Sequence, residues 1–246
     1  MPRVAVIVVA AGKGERFGGN EKKVFARVEG RPIFLRSVEL FIHRPDVSQT
    51  ILVIAPEDEE HVKEKFGANL GLLGVQRVTG GARRVDSVAA GLAAVRDEAE
   101  LVAVHDAARP CVSDAMIDAV FAEAARTGAA ILAAPLRGTI KRVSGAGIID
   151  RTVDRQGLWE AQTPQVFRRD LLMQAFDRRG ELEEEDVTDD ARLVEGLGHP
   201  VAVVESDPTN LKITTRADVP LAAAIIRSRP KPLPKGPMNP FEEAQW

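Results

Sequence analysis

Five short apolar runs rich in valine, isoleucine and alanine recur along the chain, at residues 3–9 (RVAVIVV), 50–55 (TILVIA), 75–79 (VQRVT), 101–105 (LVAVH) and 129–134 (AAILAA). They are continuous rather than alternating, the pattern of strands whose two faces are both covered. The segments between them carry helical patterns. Pro32 stands at the first position of a helix through IFLRSVELFIH. EDEEHVKEKF has its acids first and its lysines later, complementing a helix dipole. SVAAGLAAV and SDAMIDAVFAEAAR complete the set, with Ser113 as N-cap of the second. Strand and helix alternate five times, which predicts an α/β fold: a mostly parallel sheet with helices on both faces.

The rhythm breaks after Pro135. Residues 136–160 show short alternating stretches around the turn SGAG and read as a β-hairpin arm leaving the sheet. Helical patterns return at 169–179 and 188–196, then a strand at 201–205 and a last helix near 215–228. Residues 1–228 therefore read as one domain, a normal size for a chain of 246 residues. Residues 229–246 hold five prolines without apolar periodicity and read as a disordered tail. A net charge of −3 argues against a general nucleic-acid surface, so an anion site must be local. VAVIVVAA is too short to span a bilayer, and Cys111, the single cysteine, has no partner for a disulfide. A cytoplasmic protein is expected.

The chemistry concentrates in VVAAGKGERFGGNEKK, residues 8–23, which leaves the carboxyl end of the first strand. Ligands of open α/β sheets bind at that edge. A dinucleotide fingerprint would read G-x-G-x-x-G, but Gly12 and Gly14 are followed by Gly18, one residue late, and no G-K-[ST] of a P-loop is present. Lys13, Arg16, Lys22 and Lys23 suit a more highly charged ligand than a dinucleotide. The pattern predicts backbone N–H groups from Ala10 to Gly14 around a polyphosphate, with Arg16 and Lys23 reaching its charge. Asp106 follows the fourth strand at the same edge and offers the hard oxygen that a divalent cation needs. His105 reads as a packed structural histidine, and Cys111 as a small buried side chain. In the acidic run ELEEEDVTDD, Glu183 to Asp186 read as solvated surface.

AAGKGERF, GGARRVDSVAAGL, VHDAARP, TIKR, TVDRQGLWEAQTPQVF, VTDD and NLKITT resemble, in order and spacing, one family over roughly residues 3–227. It is 2-C-methyl-D-erythritol 4-phosphate cytidylyltransferase, of the non-mevalonate isoprenoid pathway. The resemblance implies a Rossmann-like doubly wound nucleotidyltransferase fold whose substrates are CTP and methylerythritol phosphate, with Mg2+ as cofactor and pyrophosphate as by-product. It implies that Ala10, Ala11, Gly12 and Gly14 hold CTP and that Arg16 and Lys23 stabilise the transition state. Gly80, Gly81 and Ser87 would meet cytosine and ribose, Asp106 would bind the metal, and Ala107 and Arg109 would line the site. Thr139, Arg155, Thr188 and Lys212 would hold the acceptor, with Arg155 and Lys212 orienting its phosphate. The family is homodimeric, so the 136–160 arm would carry Thr139 and Arg155 to the neighbouring subunit.

Two departures stand out. Where the family usually has Pro-Lys, this chain has Lys22-Lys23, which leaves either lysine open to the role, with spacing from Arg16 favouring Lys23. Where some members have an aspartate before the N-x-K asparagine, Thr209 stands, and Asp207 is either the second metal ligand or a loop cap. The rival readings are ribitol-5-phosphate cytidylyltransferase and a nucleotide-binding module without chemistry. A nicotinamide dehydrogenase is opposed by the late Gly18.

Overall fold

The computed structural model describes residues 2–12, 14–18, 22–181 and 187–229; Lys13, the acids Glu183 to Asp186 and the tail from Pro230 lie outside the described residues. Strand β1 (Val4–Val9) leads through a short ladder of β2 (Arg27–Val28) and β3 (Arg31–Pro32) into helix α1 (Ile33–Glu39). Then follow β4 (Val47–Ile54), α2 (Glu59–Leu72), β5 (Val75–Thr79), α3 (Arg84–Ala93), β6 (Leu101–Asp106), α4 (Asp114–Thr127) and β7 (Ala129–Pro135). A hairpin of β8 (Ile140–Val143) and β9 (Ile149–Val153) precedes β10 (Trp159–Arg168), α5 (Arg169–Asp177), α6 (Asp190–Gly196), β11 (Ala202–Glu205) and α7 (Asp218–Ser228).

Seven strands form one sheet in the order β11-β7-β10-β6-β1-β4-β5. Every neighbouring pair is parallel except those of β10, which runs antiparallel to both β6 and β7. Side chains alternate across a strand, and β1 shows the consequence. Val4, Val6 and Val8 pack with Phe34, Leu35 and Val38 of α1 and Ile117, Val120 and Phe121 of α4, whereas Ala5 and Ile7 face Val88 of α3 and Leu172 of α5. Residues 4–8 are fully buried on both faces, which is why the sequence there is apolar without interruption.

Ser113 caps α4 as expected, its hydroxyl accepting from the Met116 amide at 3.3 Å. Pro32 lies one position earlier than expected, at the N-cap of α1 and within β3. The larger correction is β10. Thr163-Pro164 argues against a central strand, since proline cannot donate to a ladder. The sheet accommodates it with a register shift against β7 between Ala161 and Gln165. The arm is correspondingly shorter than 136–160, because Trp159 to Ala161 already pair with Pro135 to Ala133. β8 and β9 pair only with each other, so the hairpin stands outside the main sheet.

Helix α3 lies close on the sheet because Gly91 has no side chain. A Cβ there would fall 2.6 Å from Ile7 Cγ2 and 3.0 Å from Val53 Cγ2. Alanine raises helix propensity by about 1 kcal/mol, but overpacking a core of this kind costs about 1–3 kcal/mol. Gly91→Ala should therefore lower the urea midpoint with an unchanged slope. A midpoint equal to or above wild type would show that α3 can lift at no expense.

Candidate active site

The carboxyl ends of β1, β4, β5 and β6 open onto one edge, where a cleft of about 430 Å³ is lined by Ala11, Gly12, Lys23, Glu57, Gly80, Gly81, Arg83, Arg84, Ser87, Asp106 and Lys212, among others. The glycine-rich loop forms one wall. The Ala10 amide is not available to a ligand, because it continues the sheet by donating to the Val53 carbonyl at 2.7 Å. Among the described residues no acceptor meets the amides of Ala11, Gly12 or Gly14. Gly14 has φ +68°, and a Cβ there would come within 3.0 Å of Lys23 Cβ. The loop thus folds back so that its two ends touch, an approach glycine permits on both steric and backbone grounds.

The opposite wall is the turn before α3. A Cβ on Gly80 would meet Ser87 Oγ at 2.7 Å and Ala11 Cβ at 2.9 Å, so only glycine lets this turn close on the loop. Ser87 Oγ accepts from the Gly81 amide at 3.2 Å and donates to the Arg83 carbonyl at 3.1 Å. Its hydroxyl shapes the turn.

Asp106 is the electrostatic centre. It is 8% exposed, with Lys212 Nζ at 2.7 Å, Arg84 Nε at 3.4 Å and Arg109 Nε at 3.9 Å. Burial opposes its charge, but Arg84 and Lys212 outweigh that and hold the carboxyl well below the usual range. Arg84 also pairs with the buried Asp190 of α6 at 2.8 Å. Lys23 faces the same centre and titrates low, first through burial and then through Lys212, with Asp106 pulling the other way. Among the described residues four cations line the cleft (Lys23, Arg83, Arg84 and Lys212) against two carboxylates, Glu57 and Asp106. Such a surface selects a polyanion.

A buried chain of hydrogen bonds fixes Asp106 from behind. The Arg109 carbonyl can only accept, so His105 Nε2, 3.1 Å away, carries the ring proton. His105 Nδ1 then accepts from the Thr163 hydroxyl at 3.1 Å, and that oxygen accepts the Asp106 amide at 3.0 Å. His105 is accordingly the packed structural residue the sequence suggested.

The remaining candidates divide. Lys23 and Lys22 part company: Lys23 lines the cleft, whereas Lys22 binds the carboxylates of Glu57 at 2.9 Å and Asp58 at 2.8 Å. Arg16 is exposed in the single turn Glu15–Phe17. Ala107 is buried with its amide on the Val9 carbonyl, and Ala108 takes its place in the lining. Arg109 lies behind the cleft, 4% exposed, with Nη1 donating to the Asn210 carbonyl at 2.7 Å and Nη2 to Ala161 at 3.4 Å. Thr188 is exposed next to Asp189, the N-cap of α6. Thr139 and Arg155 are exposed at the base of the hairpin and do not reach the cleft of their own chain. Asp207 accepts both the amide and the hydroxyl of Thr209, at 2.6 and 2.5 Å, the geometry of its loop-cap alternative. Sequence reasoning missed Arg84, Asp190, Thr163 and Asn210. Arg84 sat unread inside GGARRVDSVAAGL, and nothing local marks Asp190 as its partner.

A model of the family described as 2-C-methyl-D-erythritol 4-phosphate cytidylyltransferase matches residues 4–228. A protein of that description from Rhodopirellula baltica is 44% identical over 235 residues, covering 91% of this chain and 94% of its own length. The crystal structure of the corresponding protein from Thermus thermophilus is similar with a TM-score of 0.74 and 34% identity, over 90% of this chain and 98% of that one. The Francisella tularensis structure gives 0.76 and 30%, over 91% and 99%.

Burial pushes His105 down to about 4, with Asp106 opposing. Its folded value lies below its unfolded value of about 6.5, so on acidification the unfolded chain takes the proton first and stability falls between those two values. From pH 7 to pH 5 the wild type should lose about 2 kcal/mol more than His105→Gln in urea unfolding. Equal losses would show that the native ring protonates normally.

Proposed function

The chain belongs to the 2-C-methyl-D-erythritol 4-phosphate cytidylyltransferase family, and from that premise we propose how its own residues carry the reaction. It is a nucleotidyltransferase of isoprenoid biosynthesis that couples CTP to methylerythritol phosphate. The carrying observation is Asp106, buried between Arg84 and Lys212 and facing Lys23 across a cleft rimmed by loop amides that meet no acceptor among the described residues. The amides of Ala11, Gly12 and Gly14 receive the triphosphate, and Gly80, Gly81 and the turn that Ser87 shapes receive the nucleoside.

An oxygen of the acceptor phosphate attacks the α-phosphorus of CTP; a new P–O bond forms there as the bond to the bridging β-phosphate oxygen breaks and pyrophosphate leaves. No base is required, since the second pKa of a phosphate monoester is about 6 and the nucleophile is already largely anionic. Lys23 and Arg16 meet the charge that builds on the departing pyrophosphate. Lys212 has three N–H donors, so it can orient the acceptor phosphate while still paired with Asp106. Arg109 acts through Asn210, holding the segment before α7 that carries Lys212.

Among the described residues no group of three His, Cys, Asp or Glu forms a ready metal cage. That fits magnesium, which keeps several waters and takes one or two carboxylates together with substrate phosphates. Asp106 would hold it, and when bound it would neutralise phosphate oxygens. Asp207, committed to Thr209, is given the capping role.

We assign the working form as a homodimer. Val143, Ile148 and Ile149 expose 52–68% of their surface on the arm and Trp159 exposes 42% at its foot, apolar side chains of the kind that seek a partner. A second copy of this chain then supplies Thr139 and Arg155 to each cleft, where Thr188 completes the acceptor site. The single unpaired, buried Cys111 is in keeping with work in the cytoplasm. No helix among the described residues is long and apolar enough to cross a membrane.

Pyrophosphate release measured with CTP, Mg2+ and a panel of sugar-alcohol phosphates should be strong with methylerythritol phosphate and weak with ribitol phosphate; the reverse order would overturn the assignment. Lys23→Ala and Arg16→Ala should each lower kcat by about 10²–10³ with a smaller change in KM for CTP. An unchanged kcat would remove the residue from that role. Arg155→Ala should chiefly raise KM for the acceptor. Mixing Lys23→Ala and Arg155→Ala chains should restore activity above either alone, because one cleft of each mixed dimer is intact; no recovery would rule out the shared site.

A further inference from the structure

Lys22 and Lys23 are consecutive, yet they work on opposite sides of one wall. Lys23 lines the cleft. Lys22 lines a neighbouring groove with Phe25, Arg27, His61 and Lys65, and Glu57 lines both. The Lys22 ammonium is held by Glu57 at 2.9 Å and Asp58 at 2.8 Å, and Asp58 is 6% exposed. Those acids form the turn Pro56–Asp58 at the end of β4, whose Ala55, Pro56 and Glu57 also line the cleft. The pairing therefore ties the far end of the glycine-rich loop to the sheet edge, over 35 residues of sequence.

The backbone shows what the tie restrains. Lys22 has φ −63° and ψ 137° and is the N-cap of the turn Lys23–Phe25, whose first residue is Lys23. Its carbonyl accepts the Phe25 amide at 3.0 Å, closing that turn. From φ −63° a one-residue step delivers Lys23 Cβ onto Gly14 and its side chain toward Asp106 and Lys212. This is extended backbone that a lysine adopts without strain, but in a loop rich in glycine it is one of several accessible conformations. Burial, Lys212 and Arg16 disfavour the Lys23 charge, with Asp106 and Asp218 pulling the other way. Buried Val24 and the packing of Phe25 on Phe34 and Phe66 hold the turn on its far side, and the ion pairs of Lys22 hold it on the near side.

We propose that the Lys22 clamp on Glu57 and Asp58 is a positioning device for the known reaction, fixing the backbone at residue 22 so that the Lys23 ammonium is held in the cleft. This rests on the reading of the cleft as the CTP site. Lys22 touches no reacting atom and acts through Lys23.

The test uses the full chain, with pyrophosphate release from CTP and methylerythritol phosphate. Wild-type turnover establishes the reading of the cleft independently of any variant. Lys22→Ala and Lys22→Met should then lower kcat by about tenfold, leaving KM for the acceptor unchanged, as expected when a catalytic group is displaced by a fraction of its reach. Lys22→Pro should recover kcat to within about twofold, because proline fixes φ near −65° without any ion pair. On a Lys23→Ala background, Lys22→Ala should lower kcat no further. Wild-type kcat in both Lys22→Ala and Lys22→Met would overturn the proposal, as would a Lys22→Pro enzyme as slow as Lys22→Ala. Full additivity with Lys23→Ala would overturn it as well, since it would show that Lys22 acts on its own account.

Discussion

The site is organised around a single carboxylate that a protein interior would ordinarily reject. A buried ion is tolerable only when its partners are close and its remaining valences are met. Asp106 satisfies this with Lys212 and Arg84 on its side chain and the Thr163 hydroxyl on its amide. Each partner comes from a different element: Arg84 from the first turn of α3, Lys212 from the segment before α7, Thr163 from β10. The carboxylate is therefore a junction, and satisfying it requires the edge of the sheet to assemble completely. The same arrangement leaves the cleft with more cations than anions, so the requirement that shapes the fold locally is also what selects a polyphosphate.

β10 is the element that makes the junction possible. Running against its neighbours, it brings a bulged, polar stretch into the middle of a sheet otherwise built of valine, isoleucine and alanine. Its buried polar residues are each committed. Gln162 meets Asn210, Thr163 meets His105 and Asp106, and Gln165 binds the amides of Asp190 and Ala191 while donating to Asp189. Gln165 thereby docks the start of α6 and sets Asp190 where Arg84 can reach it. Buried polar networks of this kind specify the register of a strand through the partners each residue must meet.

The parallel half of the fold was legible because its physics is local. Continuous apolar runs, a capping serine at 113 and acids at the start of α2 each state a structural preference within a few residues. β10 was not legible, because Thr163-Pro164 argues against a central strand until the bulge and the distant partners of Gln162 and Gln165 are known. The same divide runs through the site. Gly12 and Asp106 could be placed by strand-end logic alone. The separation of Lys22 from Lys23 depends on Glu57 and Asp58, and the burial of Arg109 depends on Asn210, about a hundred residues away. Charge at a loop is visible in sequence; which countercharge claims it is a property of the tertiary fold.

That difference explains why the cations are not interchangeable. Arg109 and Arg84 spend their donors on protein acceptors, Asn210 and Ala161 in one case and Asp106 and Asp190 in the other. Their guanidinium forks suit fixed, planar contacts. Lys23 and Lys212 are compact ammonium groups facing the opening, and Lys23 is held where burial and its cationic neighbours already work against its charge. A polyphosphate offsets the repulsion from the cationic neighbours, and charge that grows on it during reaction deepens the effect. Arginines tied to protein acceptors and restrained lysines at the opening give the cleft a field set before the substrate arrives, which is the condition under which electrostatics lowers a barrier instead of merely tightening binding.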